Sequence, residues 1–517
     1  MKTTNFKPVL RTAAAAVVAA MLSACGTVGP NFAMPKGLDL SPTWRGATQS
    51  PAEPGQSTPP APVAQVSEDA RLPANWWSVF GDATLDQLES RAMTDNPNVR
   101  ASAQRLVQAQ AQLGVTRATQ LPSLNVNAGV ANQRTSQNST EGILFGHQSL
   151  HGMNYEVGAG FSWELDLWGR VRRVVEAADA QALAAQDDRD GVLLMLSGQV
   201  ATAYWQLRGL DTEIASLRNA LATRKESEGL IEARFNAGLS NELDLARTRI
   251  ERANAEADLH EVQRERDTLE HGLAVLVGVS PSAPLVAPNA DVALPLPPAI
   301  PVGLPASLLN QRPDLAASVA QLRASNAQIG VAQAAFYPNV SLTANYGFAS
   351  QQLSQLAKAS SREFSIGPLA LSLPLFDGGR NKSNLKLSQA RYDEALANHE
   401  LRLLTALREV EDALTDVQQR QQQGDVQAQA QQAAARALLV AQARYDRGLS
   451  TYLDVTDAQR STLAADRAAA QIRTQRLIAA VEVARALGGG WTQAAPEATV
   501  AKADGKGGWS CPVKTKG

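Results

Sequence analysis

Aromatic residues make up only 5% of the 517 positions. That is too few to fill a thick globular centre, and the alanine-dominated remainder of the 44% hydrophobic content suits long, closely packed helices instead. Cysteine occurs twice, at Cys25 and Cys511, which leaves no disulfide framework to build on. The five histidines, His147, His151, His260, His271 and His399, are scattered. Only His147 and His151 stand at ligand-like spacing, and they fall in a loop between strands. There is no glycine-rich phosphate loop followed by lysine and no nucleophile elbow. Neither enzyme activity nor a metal or other bound cofactor is therefore expected. A net charge of −2 offers no basic surface, so nucleic acid is not an expected partner. Beyond residue 24 no apolar run reaches the roughly 20 residues of a spanning helix. Any membrane crossing must be made by strands.

What the chain does have is a repeat. Ala233 to Leu245 reads Ala-Arg-Phe-Asn-Ala-Gly-Leu-Ser-Asn-Glu-Leu-Asp-Leu, and 210 positions later Ala443 to Val455 reads Ala-Arg-Tyr-Asp-Arg-Gly-Leu-Ser-Thr-Tyr-Leu-Asp-Val. Each copy ends one long helical pattern and starts another. Asn96-Pro97-Asn98-Val99 is echoed by Arg312-Pro313-Asp314-Leu315, and Leu121-Pro122-Ser123-Leu124 by Tyr337-Pro338-Asn339-Val340. The segment Trp163 to Trp168 matches Leu371 to Phe376 at a smaller offset, so the first copy carries the longer loop before it.

The chain opens with an export signal. Lys2, Lys7 and Arg11 precede an apolar run from Thr12 to Leu22, too short to span a bilayer but right for a signal-peptide core. Leu22-Ser23-Ala24-Cys25 resembles the lipobox of bacterial lipoproteins, in which cleavage leaves an acylated cysteine as the new amino terminus. Gly26 follows, not the aspartate that in many such proteins means inner-membrane retention, which favours the outer membrane. From Phe32 to Leu72 a stretch rich in Pro, Ser, Gln and Ala is expected to be an extended tether. Order is expected from Pro73, where Trp76, Trp77 and Phe80 form a hydrophobic clasp against neighbouring helices.

Arg170 to Phe235 and Arg380 to Tyr445 are expected as helices of 66 residues each, about 100 Å long. Leu385, Tyr392, Leu396, Leu403, Leu407, Val410, Leu414 and Val417 step as a coiled-coil seam. Gly191, Gly198, Gly209 and Gly229 interrupt the first of the pair and argue against its continuity. The return helices, Ser240 to Val277 and Ser450 to Leu487, are shorter. Thr84 to Thr119 in the first copy and Asp314 to Phe336 in the second are expected to cover the remaining length, stacked end to end with them.

Four strands lie between the short and long helices. Tyr155, Val157, Ala159, Phe161, Trp163, Leu165 and Leu167 share one parity, and Glu156, Gly158, Gly160, Ser162, Glu164 and Asp166 the other. Leu124 to Val130 and Val340 to Phe348 alternate likewise. A fourth strand, Phe364 to Leu375, changes parity around Gly367-Pro368 as a bulge would. Half-buried strands of a soluble sheet show the same period; the export signal favours lipid. Four strands cannot close a membrane barrel, and an open edge in lipid costs several kcal/mol per unpaired group, so protomers must pool their strands.

These residues carry a resemblance. The lipobox, Trp76-Trp77 with Phe80, Gln311-Arg312-Pro313-Asp314-Leu315, Phe376-Asp377-Gly378-Gly379-Arg380 and the two Gly-Leu-Ser turns resemble the outer membrane factor (TolC) family, specifically its NodT-type efflux lipoproteins, over nearly the whole chain after Cys25. The resemblance implies a mainly α fold with a membrane β-barrel: a long coiled-coil helical barrel plus four strands per protomer, a homotrimer closing a twelve-stranded barrel. It implies docking to a periplasmic adaptor (membrane fusion protein) and an inner-membrane RND-type pump, with a lipid on Cys25 in the outer membrane and no other cofactor.

The resemblance also assigns sites. Gly238, Leu239, Ser240, Gly448, Leu449 and Ser450 become the adaptor-contact tips. On their own chemistry glycine ends a helix in a left-handed conformation, leucine is an exposed knob, and serine is expected to cap the next helix. Leu453, Asp454, Asp457 and Arg460 become a periplasmic gate, with Leu453 as an apolar constriction and the carboxylates as an acidic ring able to favour cations. Without the resemblance, Asp457 and Arg460 are an ordinary helical pair at i, i+3.

The expected division is a signal peptide at 1–24, a lipidated N-terminus and linker at 25–72, a first repeat at 73–283, an inter-repeat linker at 284–312, a second repeat at 313–488 and a tail at 489–517. The expected function is an outer-membrane exit duct for drugs or other small toxic compounds. A protein-secretion duct and a structural periplasmic coiled-coil lipoprotein are the alternatives.

Overall fold

Glycine turns, proline stops and Asp caps set the element boundaries. The computed structural model describes residues 27–35, 41, 43–45, 64–66, 72–144, 146–149, 151–289, 294–303, 305 and 311–491. Cys25, Cys511 and the expected signal peptide lie outside these residues. In chain order the elements are β1 (Ala64–Val66), a 3-10 turn (Trp76–Phe80), α1 (Ala83–Asp95), α2 (Pro97–Ala118), β2 (Ser123–Arg134), α3 (Thr140–Leu144) and β3 (His151–Leu165). Then come α4 (Arg170–Asn236), α5 (Glu242–Val277), β4 (Ile300–Val302), α6 (Pro313–Ala334), β5 (Asn339–Ser350), β6 (Arg362–Ser372), α7 (Arg380–Asp446) and α8 (Tyr452–Ala486), apart from two further short 3-10 turns between β5 and β6.

The long helices α4 and α7 are each 67 residues, about 100 Å at 1.5 Å per residue. The glycines of α4 do not break it. Gly198 and Gly209 face α8, where an added Cβ would come within 2.8 Å of Arg485 Cδ and 2.1 Å of Thr474 Oγ1, so they serve close packing. The seam of α7 is buried at Leu403, Val410, Leu414 and Val417.

The expected helix over Thr84 to Thr119 is two helices. Pro97 disfavours helical geometry at the residue before it, and Asn96 is extended at φ −63°, ψ 127°. Its Oδ1 accepts the Asn98 N–H at 2.7 Å, starting α2, while its Nδ2 donates to Leu276 O at 2.7 Å. That second bond joins the start of α2 to the end of α5. The other repeat makes the matching joint, where Arg312 Nη1 donates to Ala486 O at 3.0 Å between α6 and α8. Short helices thus stack end to end along each long one, as expected from their lengths. The main core lies at these joints, with Trp76, Phe80, Tyr204 and Trp205 buried among Leu477, Val481 and Leu315. Trp76 Nε1 donates to Ser197 Oγ at 3.1 Å, and Phe80 meets Trp205 at 5.6 Å between centroids, forming the expected clasp.

The four strands β2, β3, β5 and β6 form one antiparallel sheet in that order. The register sets Val126 beside Ala159, Ala159 beside Tyr346, and Tyr346 beside Phe364, so one apolar face runs across all four strands. The ladder shifts between Leu342 and Ala344, where β6 inserts an extra residue at Gly367-Pro368 and keeps Ile366 on the same face as Leu369. This is the expected bulge. β6 ends at Ser372, short of the expected Leu375, because Pro374 has no N–H to give a ladder.

The stretch expected as a tether is tied down at several of its described residues. Residues 64–66 pair in parallel with β4. Trp44 is buried and donates from Nε1 to Gly303 O at 2.6 Å. Closer to the sheet, Val28 donates to Trp168 O at 2.9 Å. Among its described residues the contacts are made by backbone and by Trp44, which composition alone does not reveal.

Candidate functional site

The end of the molecule away from the sheet is made of two turns. α4 ends at Asn236, and Gly238 at φ +71° receives the chain in the left-handed region. Leu239 N–H then bonds back to Arg234 O at 2.8 Å, closing a Schellman turn. The second turn is the same, with Gly448 at φ +71° and Leu449 N–H on Arg444 O at 2.9 Å. Because the turn spends its bonds on backbone, both leucines are left in the open, 79% and 65% exposed. Neither serine caps the following helix. The side chain of Asn241 accepts from Asp244 N–H at 2.8 Å to start α5, and Thr451 stands at the N-cap of α8.

The two turns sit side by side. The Arg234 guanidinium lies 5.1 Å from the centroid of the Tyr445 ring, and Tyr445 packs edge-on to Tyr452 at 5.4 Å. Ile231, Leu245, Tyr452 and Val455 form a small core of their own beneath them. Burial pushes the Tyr452 phenol up.

Above the second turn, Leu453, Asp454 and Asp457 are exposed while Val455 and Thr456 are buried. Thr456 satisfies its hydroxyl on Tyr452 O at 3.1 Å. Asp457 meets Arg460 at 3.6 Å, but Arg460 also donates from Nε to Glu251 Oε1 of α5 at 2.8 Å. Glu251 is buried and meets Arg224 of α4 at 3.4 Å as well. One heptad along α8, Arg467 Nε donates to Glu213 Oε1 at 2.6 Å and meets Asp258 at 3.4 Å. Gln471 reaches the other oxygen of Glu213 at 3.4 Å. α8 is thus tied by a charged ladder to α4 and α5 of the first repeat. Sequence reading missed Glu251, Glu213 and Arg224; the seven-residue step from Arg460 to Arg467 was the available signal.

The Arg312-Pro313-Asp314 motif belongs to the joint between α6 and α8. Arg312 is 7% exposed and forks onto Asp314, with Nε to Oδ1 at 3.0 Å and Nη2 to Oδ2 at 2.8 Å, while Nη1 reaches Glu409 Oε2 at 2.8 Å. Burial alone would push the Asp314 carboxyl up, but this guanidinium holds it below the usual range.

At the opposite end, β2 and β6 are the outer strands of the sheet, each paired on one side only among the described residues. The apolar face is bare in the single chain, with Val126 at 75% and Ile366 at 82% exposure. Among the described residues no helix is long and apolar enough to cross a membrane. An apolar sheet standing above a charged helical column is the geometry of a strand-built membrane segment on a water-facing stem.

Comparison with known proteins agrees. The family model described as outer membrane efflux protein matches residues 88–279 and 304–489, one span in each repeat. Outer membrane protein OprJ of Pseudomonas aeruginosa is 34% identical over 484 residues, 93% of this chain and 96% of that protein. The probable outer membrane lipoprotein SilC of Salmonella typhimurium is 28% identical over 452 residues, 85% of this chain and 95% of its own length. The crystal structure of the Campylobacter jejuni CmeC outer membrane channel superposes with a TM-score of 0.81 at 26% identity, covering 91% of this chain and 96% of that one. With both repeats matched in order and the sheet, column and paired turns in place, the chain belongs to the outer membrane efflux protein family.

Proposed function

We propose that three copies of this chain close one twelve-stranded barrel in the outer membrane and continue it as a helical tunnel through the periplasm. The open sheet carries this reading. The bare apolar face is costly in water and suits lipid, whereas two unpaired edges are costly in lipid unless neighbouring protomers supply the missing strands. The tunnel is a passive exit duct for drugs or other small toxic compounds, fed by an inner-membrane RND-type pump through a periplasmic adaptor. Leu239 and Leu449, with Gly238, Ser240, Gly448 and Ser450, form the contact tips; an apolar side chain held open at both turns suits a protein partner. Leu453, Asp454, Asp457 and Arg460 form the gate near that end. Cys25 carries the lipid, a reading supported by the lipobox and by likeness to a probable outer membrane lipoprotein.

Cysteines placed at Asn127 on β2 and Ser365 on β6, in a Cys511→Ser background, test the barrel. Oxidation is expected to yield a covalent ladder that stops at three, from protein that conducts in planar bilayers and restores efflux to a strain lacking its own duct. A ladder ending at one, or a purified protein without conductance, would reject it.

A further inference from the structure

The strap at the foot of the sheet occupies a built site. Arg173, on the first turn of α4, is only 3% exposed. Its Nε reaches Val28 O at 3.3 Å, and its Nη2 reaches Gly29 O at 3.1 Å and Asn31 Oδ1 at 2.8 Å. From the opposite wall, Asn326 Nδ2 of α6 donates to Pro30 O at 2.9 Å, and the Arg323 guanidinium lies 5.4 Å from the Phe32 ring centroid. The floor is Gly330. A Cβ on Gly29, at φ +98°, would come within 2.5 Å of Gly330 Cα, so side chains are excluded from the closest approach. A buried guanidinium needs partners, and here the strap supplies three of its four acceptors, Glu176 the other. Both repeats contribute walls, so the occupant also bridges them.

We propose that the groove between α4 and α6 is a docking site for the chain's own Thr27–Phe32 segment, and that docking pins the Cys25 lipid anchor at the foot of the sheet. The strands and the acyl chains then enter the same leaflet together. Thr27 lies against Gly169, at the turn from β3 into α4: a Cβ there would be 2.9 Å from Thr27 Cα. Cys25 is two residues further, so docking leaves the anchor a reach of about 7 Å. Were the strap free, the next tie described would be Trp44, 19 residues from Cys25, and the reach would grow to roughly 65 Å. Shortening a tether raises the effective concentration of what it holds, here the sheet near its leaflet. This placement rests on the lipid anchor proposed above.

The test uses the full chain in its own outer membrane, with Cys511→Ser and a nitroxide on Ala33→Cys. Slow label motion is expected in this parent. Gly29→Leu leaves every helix residue in place and is expected to free the strap. Label motion becomes fast, and newly exported chain reaches its urea-resistant membrane form several-fold more slowly, with acylation of Cys25 unchanged by mass spectrometry. Asn31→Leu should act in the same direction with a smaller effect. A label equally slow in Gly29→Leu, or a freed strap with an unchanged insertion rate, overturns the proposal. Absence of acyl chains on Cys25 would instead reject the lipid anchor and its placement, with label motion reporting separately on the docking site.

Discussion

Arg460 Nε donates to Glu251 Oε1 at 2.8 Å, across 209 positions of sequence, so the arginine of the proposed gate, on the second repeat, is held by a carboxylate of the first. Its other partner, Asp457, is 61% exposed and 3.6 Å away. Glu251 is therefore the hub, and its removal leaves Arg224 buried with no other acid paired to it among the described residues. Glu251→Ala is expected to cost about 3–5 kcal/mol, the range for stripping one partner from a buried pair, and Asp457→Ala less than about 1 kcal/mol. Thermal unfolding of the detergent-solubilised protein measures both. In planar bilayers Arg460→Ala should lengthen open times by freeing α8, whereas Asp457→Ala should chiefly weaken cation preference. Equal effects from the two would remove the hub role.

The exposed leucines make a cleaner separation of folding from partner binding. Leu449→Arg places a charge where the side chain is already 65% exposed, so stability should change by no more than about 0.5 kcal/mol. Efflux is expected to fall to the level of a strain without the duct, with the oligomer intact on native gels. Unchanged drug susceptibility would dismiss the tip assignment.

Glu89 on α1 is fully buried, and neither carboxylate oxygen has a hydrogen-bond partner among the described residues. Burial, with Asp86 adding to it, pushes its carboxyl up to about 9 from an ordinary 4.5. Between those values the folded chain holds a proton that the unfolded chain releases, so stability is undiminished below pH 4.5 and falls as pH rises towards 9. At pH 7 the penalty is on the order of 3 kcal/mol. Glu89→Gln should raise the melting temperature at pH 8, leave it nearly unchanged at pH 4.5, and flatten the profile between. A parallel offset at every pH would contradict this.

Two glycines end helices at the mid-column joints and differ from the tip glycines in what surrounds them. A Cβ on Gly488, at φ +92°, would fall 1.8 Å from Gln311 O, and one on Gly278, at φ +80°, 2.6 Å from Asp95 O. Nothing lies within 4 Å of a Cβ on Gly238. Alanine at Gly238 should therefore cost only the left-handed backbone strain, about 1–2 kcal/mol. Alanine at Gly488 or Gly278 should cost more, because backbone has to move, and the yield of folded protein should drop. Comparable losses at all three sites would show that the joints tolerate displacement.

Period and turn chemistry make the long helices, the alternating strands and the bulge at Gly367-Pro368 legible in the sequence. Local signals were less secure at caps: Asn241 and Thr451 take the positions expected of Ser240 and Ser450, since either neighbour carries an oxygen able to cap and the Schellman turn sets the phase. Gly198 and Gly209 looked like interruptions because propensity says nothing of a neighbouring helix that needs the room. The pairing of Arg460 with Glu251 was invisible for a related reason. It depends on how far one helix slides along another, which the spacing within either helix does not encode. The strap hid because its contacts are mostly carbonyls, common to every residue type.

Among the described residues the sheet leaves β2 and β6 each with one free edge, and the two edges belong to the same chain. A circle built by joining the last strand of one copy to the first of the next has no spare position, so a single defective member spoils all of it. A copy carrying proline at Asn127 ought then to behave as a dominant poison in the cell. For the proposed ring of three, mixing it equally with the normal gene product would leave about one assembly in eight free of it.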